Sequence, residues 1–393
     1  MKFTTPHSNS FIVDQTSDEI RGSGSASDRV LLASVVMLMI FGVLAVYSSI
    51  AYFAEAHNTT ATSLVLGHVV KLAIAFSVMI IVSKIDYHVV ARLSKLALLL
   101  SWLFLVIVSL YGTEVFGARR SLSVAGFSFQ PSSLATVALL IYLCAFMIRK
   151  RDVITDFKKT FIPAMFWIGT TAFLIGIEDF SSAAVLLVLC FIMMFIGRMS
   201  VVQLGSLVVV GIIGGLFLLS QSLERQSRIS NYFDQVIKIE SSEFVLGAGY
   251  QAQQAHIALA KGGIFGVGIG KSTQRDFLPA PYNDFIFAII AEEYGLVGAG
   301  ILLFIFVLIL IRGVVFIARQ ALDELGTLIA MACTLTLVMY GLVNAAVACG
   351  LFPVTGLPMP FISYGGTSML FSAGMVGILL NISKQKRQEV DYE

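Results

Sequence analysis

Ten stretches of this chain are each long and apolar enough to cross a lipid bilayer, and nothing else in it constrains the fold so tightly. They run over about 29–51, 64–83, 94–112, 132–148, 160–177, 181–197, 201–220, 285–312, 326–348 and 362–382, and a spanning helix needs roughly 20 such residues. Hydrophobic residues make up 57% of the 393 and charged residues 13%, about half the charge of an ordinary soluble domain. No soluble fold of this length hides so much apolar surface. The expected class is an all-α polytopic membrane protein with about ten transmembrane helices. Residues 1–28 are polar and lack an apolar core, so no cleavable signal peptide is expected and the first helix serves as its own anchor. Cys144, Cys190, Cys333 and Cys349 lie in or at the end of apolar runs without CxxC spacing, which supports neither a disulfide framework nor a zinc site. The net charge of +2 makes no case for a nucleic-acid partner.

Lysine and arginine in the short loops set the expected orientation. One set of loops carries Lys84, Arg92, Lys95, Arg149, Lys150, Arg151, Lys158, Lys159, Arg198, Arg312 and Arg319, and the C-terminal tail adds Lys384, Lys386 and Arg387. The opposite short loops, 52–63, 177–181 and 349–361, carry none. Both termini are therefore expected in the cytoplasm. The organisation expected is a polar tail over 1–28, a transmembrane domain over 29–383 and a short tail over 384–393. A large extracytoplasmic loop, 221–283, lies between helices 7 and 8. Arg119 and Arg120 sit on the outer side against the charge bias, which fits either an anionic ligand or bonds to lipid phosphates and loop carbonyls.

The outer loop mixes charge, glycine and aromatics, and long loops without secondary structure are usually functional. Its glycine run, Gly262-Gly263-Ile264-Phe265-Gly266-Val267-Gly268-Ile269-Gly270-Lys271-Ser272, is no phosphate-binding P-loop, because Phe265 stands where that motif needs glycine. Nor does it sit in a βαβ context. Small residues of this kind let backbone approach backbone, or a lipid head group, closely. Asp284 follows Pro279, Pro281 and Asn283, and the asparagine is a good N-cap; the carboxylate is thus expected in the first turn of a helix at the water–membrane boundary. Because Gly295 to Ile311 already crosses most of the hydrocarbon, residues 284–293, with Glu292 and Glu293, are expected to line an outward cavity. Three prolines and four glycines break the helix over 350–366, and irregular backbone at membrane depth occurs only in protein or beside a cavity. Asn344, Ser363, Tyr364 and Ser368 either line that cavity or bond between helices. Lys71, inside the second run, is a charge at depth without an assigned role.

In these residues the chain resembles the SEDS family (shape, elongation, division and sporulation). The matching segments are Gly117-Ala118-Arg119-Arg120, Phe127 to Ser132, Tyr250-Gln251 with Gln254, the glycine run, Leu278-Pro279, Asp284 to Phe287, Glu292 to Gly295 and Pro353 to Ser368. They run in family order across nearly the whole chain. The resemblance implies a peptidoglycan glycosyltransferase that polymerises lipid II into glycan strands at the outer face of the cytoplasmic membrane. It also implies a class B penicillin-binding protein as transpeptidase partner, alongside other division or elongation membrane proteins. The family's essential aspartate falls on Asp284. The polar N-terminus favours the FtsW, division-type branch, and hence the septum, over the RodA, elongation-type branch. Two departures stand out: a Glu and a Lys usual after Gln-Pro-Ser are Ser133 and Thr136 here, and the approach to the aspartate reads Pro279-Ala280-Pro281-Tyr282-Asn283.

The implied chemistry needs a base for a sugar hydroxyl and cations for a departing pyrophosphate. Asp284 is the expected general base, or alternatively a ligand of a divalent cation, Mg²⁺ or Mn²⁺; no organic cofactor is expected. Arg119, Arg120, Arg228, Lys261, Lys271 and Arg275 are the available outer cations. The candidate substrate-binding residues are Arg119, Arg120, Arg228, Gln251, Lys271, Ser272, Ser363, Tyr364 and Ser368. The competing readings are a lipid II flippase, since broken helices around a polar cavity also mark transporters, and a non-catalytic scaffold for the transpeptidase.

Overall fold

The computed structural model describes residues 27–50, 60–115, 118–124, 127–237, 248–278 and 281–385. The spanning helices fall on the apolar runs: α1 (Arg29–Ser49), α2 (Ala61–Val82), α3 (Tyr87–Tyr111), α4 (Pro131–Arg149), α5 (Ile162–Glu178), α6 (Phe180–Ile196) and α7 (Val201–Ser220). After the outer segment come α10 (Ile286–Ile311), α11 (Glu324–Ala348) and α12 (Thr367–Lys384). Among the described residues nine helices have spanning length, α5 reaching it with the π-helical turn Phe157–Phe161 before it, and α6, at 17 residues, is a shorter apolar tenth. Local signals fix their starts. Asp28, Thr60, Asp86 and Asp323 each accept a backbone N–H in the first turn of the helix they precede, and Ser200 with Gln203 forms a capping box before α7.

The bundle packs α3 on α4, α2 on α12 and α10 on α11. Buried Leu139, Leu143, Leu186, Phe306 and Leu379 lie in one continuous core. The outside is as apolar as the inside: Val209, Ile212, Ile213, Leu216 and Phe217 of α7 are exposed. A band of hydrocarbon this wide on a monomer's surface is covered by lipid or protein, and the chain is a multi-pass membrane protein.

Two parts of the end that carries the 221–283 segment add to the expectation. The described residues between α3 and α4 form a small antiparallel ribbon, β1 (Thr113–Val115), β2 (Ala118–Val124) and β3 (Phe127–Phe129), in the order β1-β2-β3. The 221–283 loop is not structureless: it contains the amphipathic helix α8 (Leu223–Ile237) and α9 (Ala248–Gly262), the latter packed on α10. Residues 1–26, 51–59, 116–117, 125–126, 238–247, 279–280 and 386–393 lie outside the described residues, and with them most of the tails assigned to 1–28 and 384–393.

Candidate active site

The site begins with a broken helix. Gly295 interrupts α10 at φ 66°, ψ −166°, a conformation open to glycine and costly for other residues. Such a break strands backbone groups on both sides. The glycine run meets them: Val267 and Gly268 donate N–H to the carbonyls of Glu292 and Glu293 at 2.9 and 3.1 Å, while Leu296 and Val297 donate to Gly263 and Ile264 at 2.9 and 3.2 Å. The approach is so close that a Cβ on Gly262 would lie 2.0 Å from the Ala291 carbonyl oxygen and one on Gly266 2.1 Å from that of Glu293. Backbone-to-backbone approach is therefore what these glycines supply. The break falls where the sequence register starts the membrane-crossing part of the helix.

Glu292 and Glu293 face inward rather than a cavity, at 0% and 2% exposure. Glu292 accepts from the Ser272 hydroxyl, from the Thr273 N–H and hydroxyl, each at 3.1 Å, and from the Gln274 N–H at 3.2 Å. Glu293 accepts from the Ser48 hydroxyl and the Ser272 N–H. Arg275 donates to the Ser48 carbonyl at 2.9 Å. One loop and the end of α1 thus satisfy both oxygens of Glu292 and one of Glu293, whose second oxygen is buried without a hydrogen-bond partner. Ser48 and Arg275 are contributors that no motif announces, because their partners are more than 200 residues apart.

Asp284 lies two residues before α10, not in its first turn. Residues 281–285 form turns, the helix begins at Ile286, and Phe285 occupies the cap position without a side-chain bond. The reason is that this turn is tied elsewhere. Three successive carbonyls are each engaged by another part of the chain: Tyr282 accepts from the Tyr364 N–H at 2.8 Å, Asn283 from the Ser363 hydroxyl at 2.7 Å and Asp284 from the Asn344 amide at 3.1 Å. The same Asn344 nitrogen donates to the Leu357 carbonyl at 2.8 Å. The half-buried Asp284 is held at the seam between the 281–285 turn, the nonhelical 353–366 stretch and α11. That stretch carries Phe361 at φ 64°, an outlier for a bulky residue. Gly42 of α1 makes room for it, since a Cβ there would lie 2.3 Å from the Phe361 carbonyl. Burial, then the neighbouring Asp284 and Tyr364, pushes the Tyr282 phenol up to about 12.

The other candidates divide in two. Ser363 and Tyr364 join Asp284 at the seam. Ser368 lines a small cavity of about 40 Å³ with Ser133, Thr136, Tyr340 and Ser363. Arg228 lies with Arg225 and Glu178 along a separate cavity of about 380 Å³, otherwise walled by Phe180, Val185, Met339 and Val343. Lys271 is exposed, Ser272 is buried with its hydroxyl on Glu292, and Gln251 is half-buried on α9. Arg119 and Arg120 lie on β2, with Arg119 opposite Glu114; their side chains are outside the described residues. Among the described residues no three His, Cys, Asp or Glu side chains converge as a metal cage.

These features define a polytopic membrane protein that fixes a carboxylate at the seam between a turn before a broken helix and a nonhelical stretch. The Cell cycle protein family model that groups FtsW, RodA and SpoVE matches residues 28–388. The chain belongs to this family. It is 32% identical over 368 residues to stage V sporulation protein E of Bacillus subtilis (strain 168), covering 92% of this chain and 98% of that one. It is also 32% identical over 364 residues to the probable peptidoglycan glycosyltransferase FtsW of Geobacter sp. (strain M18), covering 92% and 97%. Its fold matches a chain from a structure described as coordinating polymerization and crosslinking by a peptidoglycan synthase complex, with TM-score 0.70, 23% identity and coverage of 93% and 99%. It likewise matches the rod shape determining protein RodA of Thermus thermophilus, with TM-score 0.66 and 23% identity over 93% and 99%.

Proposed function

We propose that this chain is a peptidoglycan glycosyltransferase that polymerises lipid II into glycan strands, with Asp284 as its general base. The observation that carries the reading is the pinning of three successive carbonyls, 282 to 284, from Ser363, Tyr364 and Asn344. Catalysis by a positioned group depends on holding it in the reactive geometry, and here the backbone beneath the carboxylate is fixed on three sides. The relatives named as FtsW-type glycosyltransferases support the reaction assignment. The concentration of Lys and Arg in the loops of the opposite end supports a reading with Asp284 on the outer face and both termini in the cytoplasm.

The acceptor hydroxyl attacks the anomeric carbon of a lipid-linked sugar. A carbon–oxygen bond forms, Asp284 takes the hydroxyl proton, and the bond to the pyrophosphate breaks with its electron pair leaving on phosphate oxygen. Attack opposite an α-linked leaving group inverts the centre to a β-linkage. The cavity of about 380 Å³ offers apolar walls for a lipid tail and arginines for its head group, as a small-molecule site requires. A divalent cation carried by the substrate's own pyrophosphate would not need a protein cage. A class B penicillin-binding protein is the proposed partner, since a structural neighbour is described from a complex of polymerisation and crosslinking. The division septum is the proposed location, on the N-terminal tail that favours the FtsW branch.

The test is polymerisation of labelled lipid II by the purified chain with its cognate transpeptidase-blocked partner. Asp284→Asn, folded and inserted, is expected to lose roughly 10²-fold or more in rate. An undiminished rate removes Asp284 from catalysis, and no glycan from wild type returns the flippase or scaffold reading.

A further inference from the structure

Lys71 lies ten residues into α2 from the Asp284 end, roughly 15 Å along the helix. A lysine at this depth is expensive unless it faces a cavity, a partner or a substrate path. Among the described residues it forms no salt bridge. Its ammonium instead sits 4.2 Å from the centroid of the Tyr364 ring, a contact that offsets only part of a charge's desolvation. One helical turn earlier, His68 is fully buried and stacks on the same ring, with centroids 5.6 Å apart at 26°. Neither of its ring nitrogens has a hydrogen-bond partner, which is a rare and costly state for a buried polar group. Tyr364 in turn meets the Tyr282 ring edge-on at 5.7 Å and donates its N–H to the Tyr282 carbonyl. The uncompensated cation and the Asp284 turn therefore flank one tyrosine.

Resting on the glycosyltransferase reading, we propose that Lys71 is the cation that receives the pyrophosphate of the lipid-linked donor, with Tyr364 as the platform holding it toward the Asp284 turn. As the glycosidic bond forms and the hydroxyl proton passes to Asp284, the pyrophosphate leaves with the electron pair of the broken carbon–oxygen bond. The ammonium lies where that charge develops and stabilises it most in the transition state. His68 backs the platform and supplies the polar lining that an anion needs at this depth.

Two readouts test it. Thermal shift of the purified full-length chain is titrated with geranylgeranyl pyrophosphate, geranylgeranyl phosphate and geranylgeraniol, for wild type, Lys71→Met, Lys71→Gln and Lys71→Arg. Lipid II polymerisation with the partner is measured alongside. Wild type is expected to prefer the pyrophosphate. Lys71→Met and Lys71→Gln are expected to lose about tenfold or more of that preference, with the response to the alcohol unchanged as the check on folding. Their kcat is expected to fall roughly 10²-fold, as for loss of one charge-stabilising donor, whereas Lys71→Arg stays within about tenfold. Retained pyrophosphate preference and kcat in Lys71→Met overturns the proposal while leaving Asp284 untouched. A wild type that binds pyrophosphate through Lys71 but makes no glycan keeps the anion site and sinks the polymerase reading instead.

Discussion

Alanine at Gly266 tests whether the glycine run is a backbone wedge. Gly266 has φ 81°, and its added Cβ would lie 2.1 Å from the Glu293 carbonyl oxygen and 2.4 Å from its carbon. The left-handed conformation alone costs an L-residue about 1–2 kcal/mol. The contact is with backbone that cannot swing away, so the loop must retreat. The bonds from Val267 and Gly268 to the carbonyls of residues 292 and 293 then weaken or break, at about 1–3 kcal/mol for each buried group stranded. Together the substitution is expected to destabilise this end of the bundle by about 3–8 kcal/mol. Gly263→Ala is the internal control: its φ is 51°, but a Cβ there has nothing within 4 Å, so it carries the conformational cost of about 1–2 kcal/mol alone. The assay is hydrogen exchange of the Val267 and Gly268 amides together with the unfolding midpoint in detergent. Gly266→Ala should speed exchange of both amides and lower the midpoint well beyond Gly263→Ala. Equal effects from the two would refute the wedge.

Asn344→Ala removes the donor shared by the Asp284 and Leu357 carbonyls, a loss of about 1–3 kcal/mol. It should cut polymerisation at least tenfold, on the order expected for a misplaced catalytic group, in protein that still purifies with its partner. The Tyr282 phenol, pushed up to about 12, keeps its proton longer in the folded chain than in the unfolded one, where tyrosine titrates near 10. Its contribution is complete below about pH 10 and is lost as pH rises through about 12; Tyr282→Phe should show a smaller alkaline fall in unfolding midpoint than wild type. Ser133→Glu places a carboxylate beside a cavity of about 40 Å³ lined by hydroxyls, stranding a charge at about 3–5 kcal/mol. Adding Thr136→Lys one turn on should recover much of the yield of folded protein; equal yields for single and double substitutions would show that the two positions do not pair.

The membrane helices were legible because hydrocarbon thickness acts on every residue of a run. The 201–220 run is α7 to the residue, and 285–312 differs from α10 by one residue at each end. The helices inside the outer segment were less visible, since charge and glycine there mask the pattern. Ile229, Phe233 and Ile237 do recur every four residues, the spacing of one helix face, and that signal points to α8. The expectation for Asp284 followed a local rule, asparagine as cap, and the rule yielded to tertiary bonds. Ser363 and Asn344 lie 80 and 60 residues away from their partners in that turn, beyond any local pattern. The outward cavity expected around Glu292 and Glu293 failed for a similar reason. Their partners, Ser48 and residues 272–274, arrive from two distant segments and close the space.

The two irregular segments explain each other. A helix interrupted at membrane depth leaves polar backbone that lipid cannot satisfy, so each break requires another stretch of nonhelical chain against it. The break at Gly295 is met by residues 263–268, and the 353–366 stretch meets the 281–285 turn through Ser363 and Tyr364, with Asn344 of α11 bonding to both segments. Asp284 lies between these two repairs, on a turn that belongs to neither helix nor free loop. A loop gripped this way positions a side chain nearly as firmly as a helix would. Glycines and buried glutamates outside the chemistry thus fix where the aspartate stands. Substitutions among them should erode activity through placement, with the carboxylate itself intact.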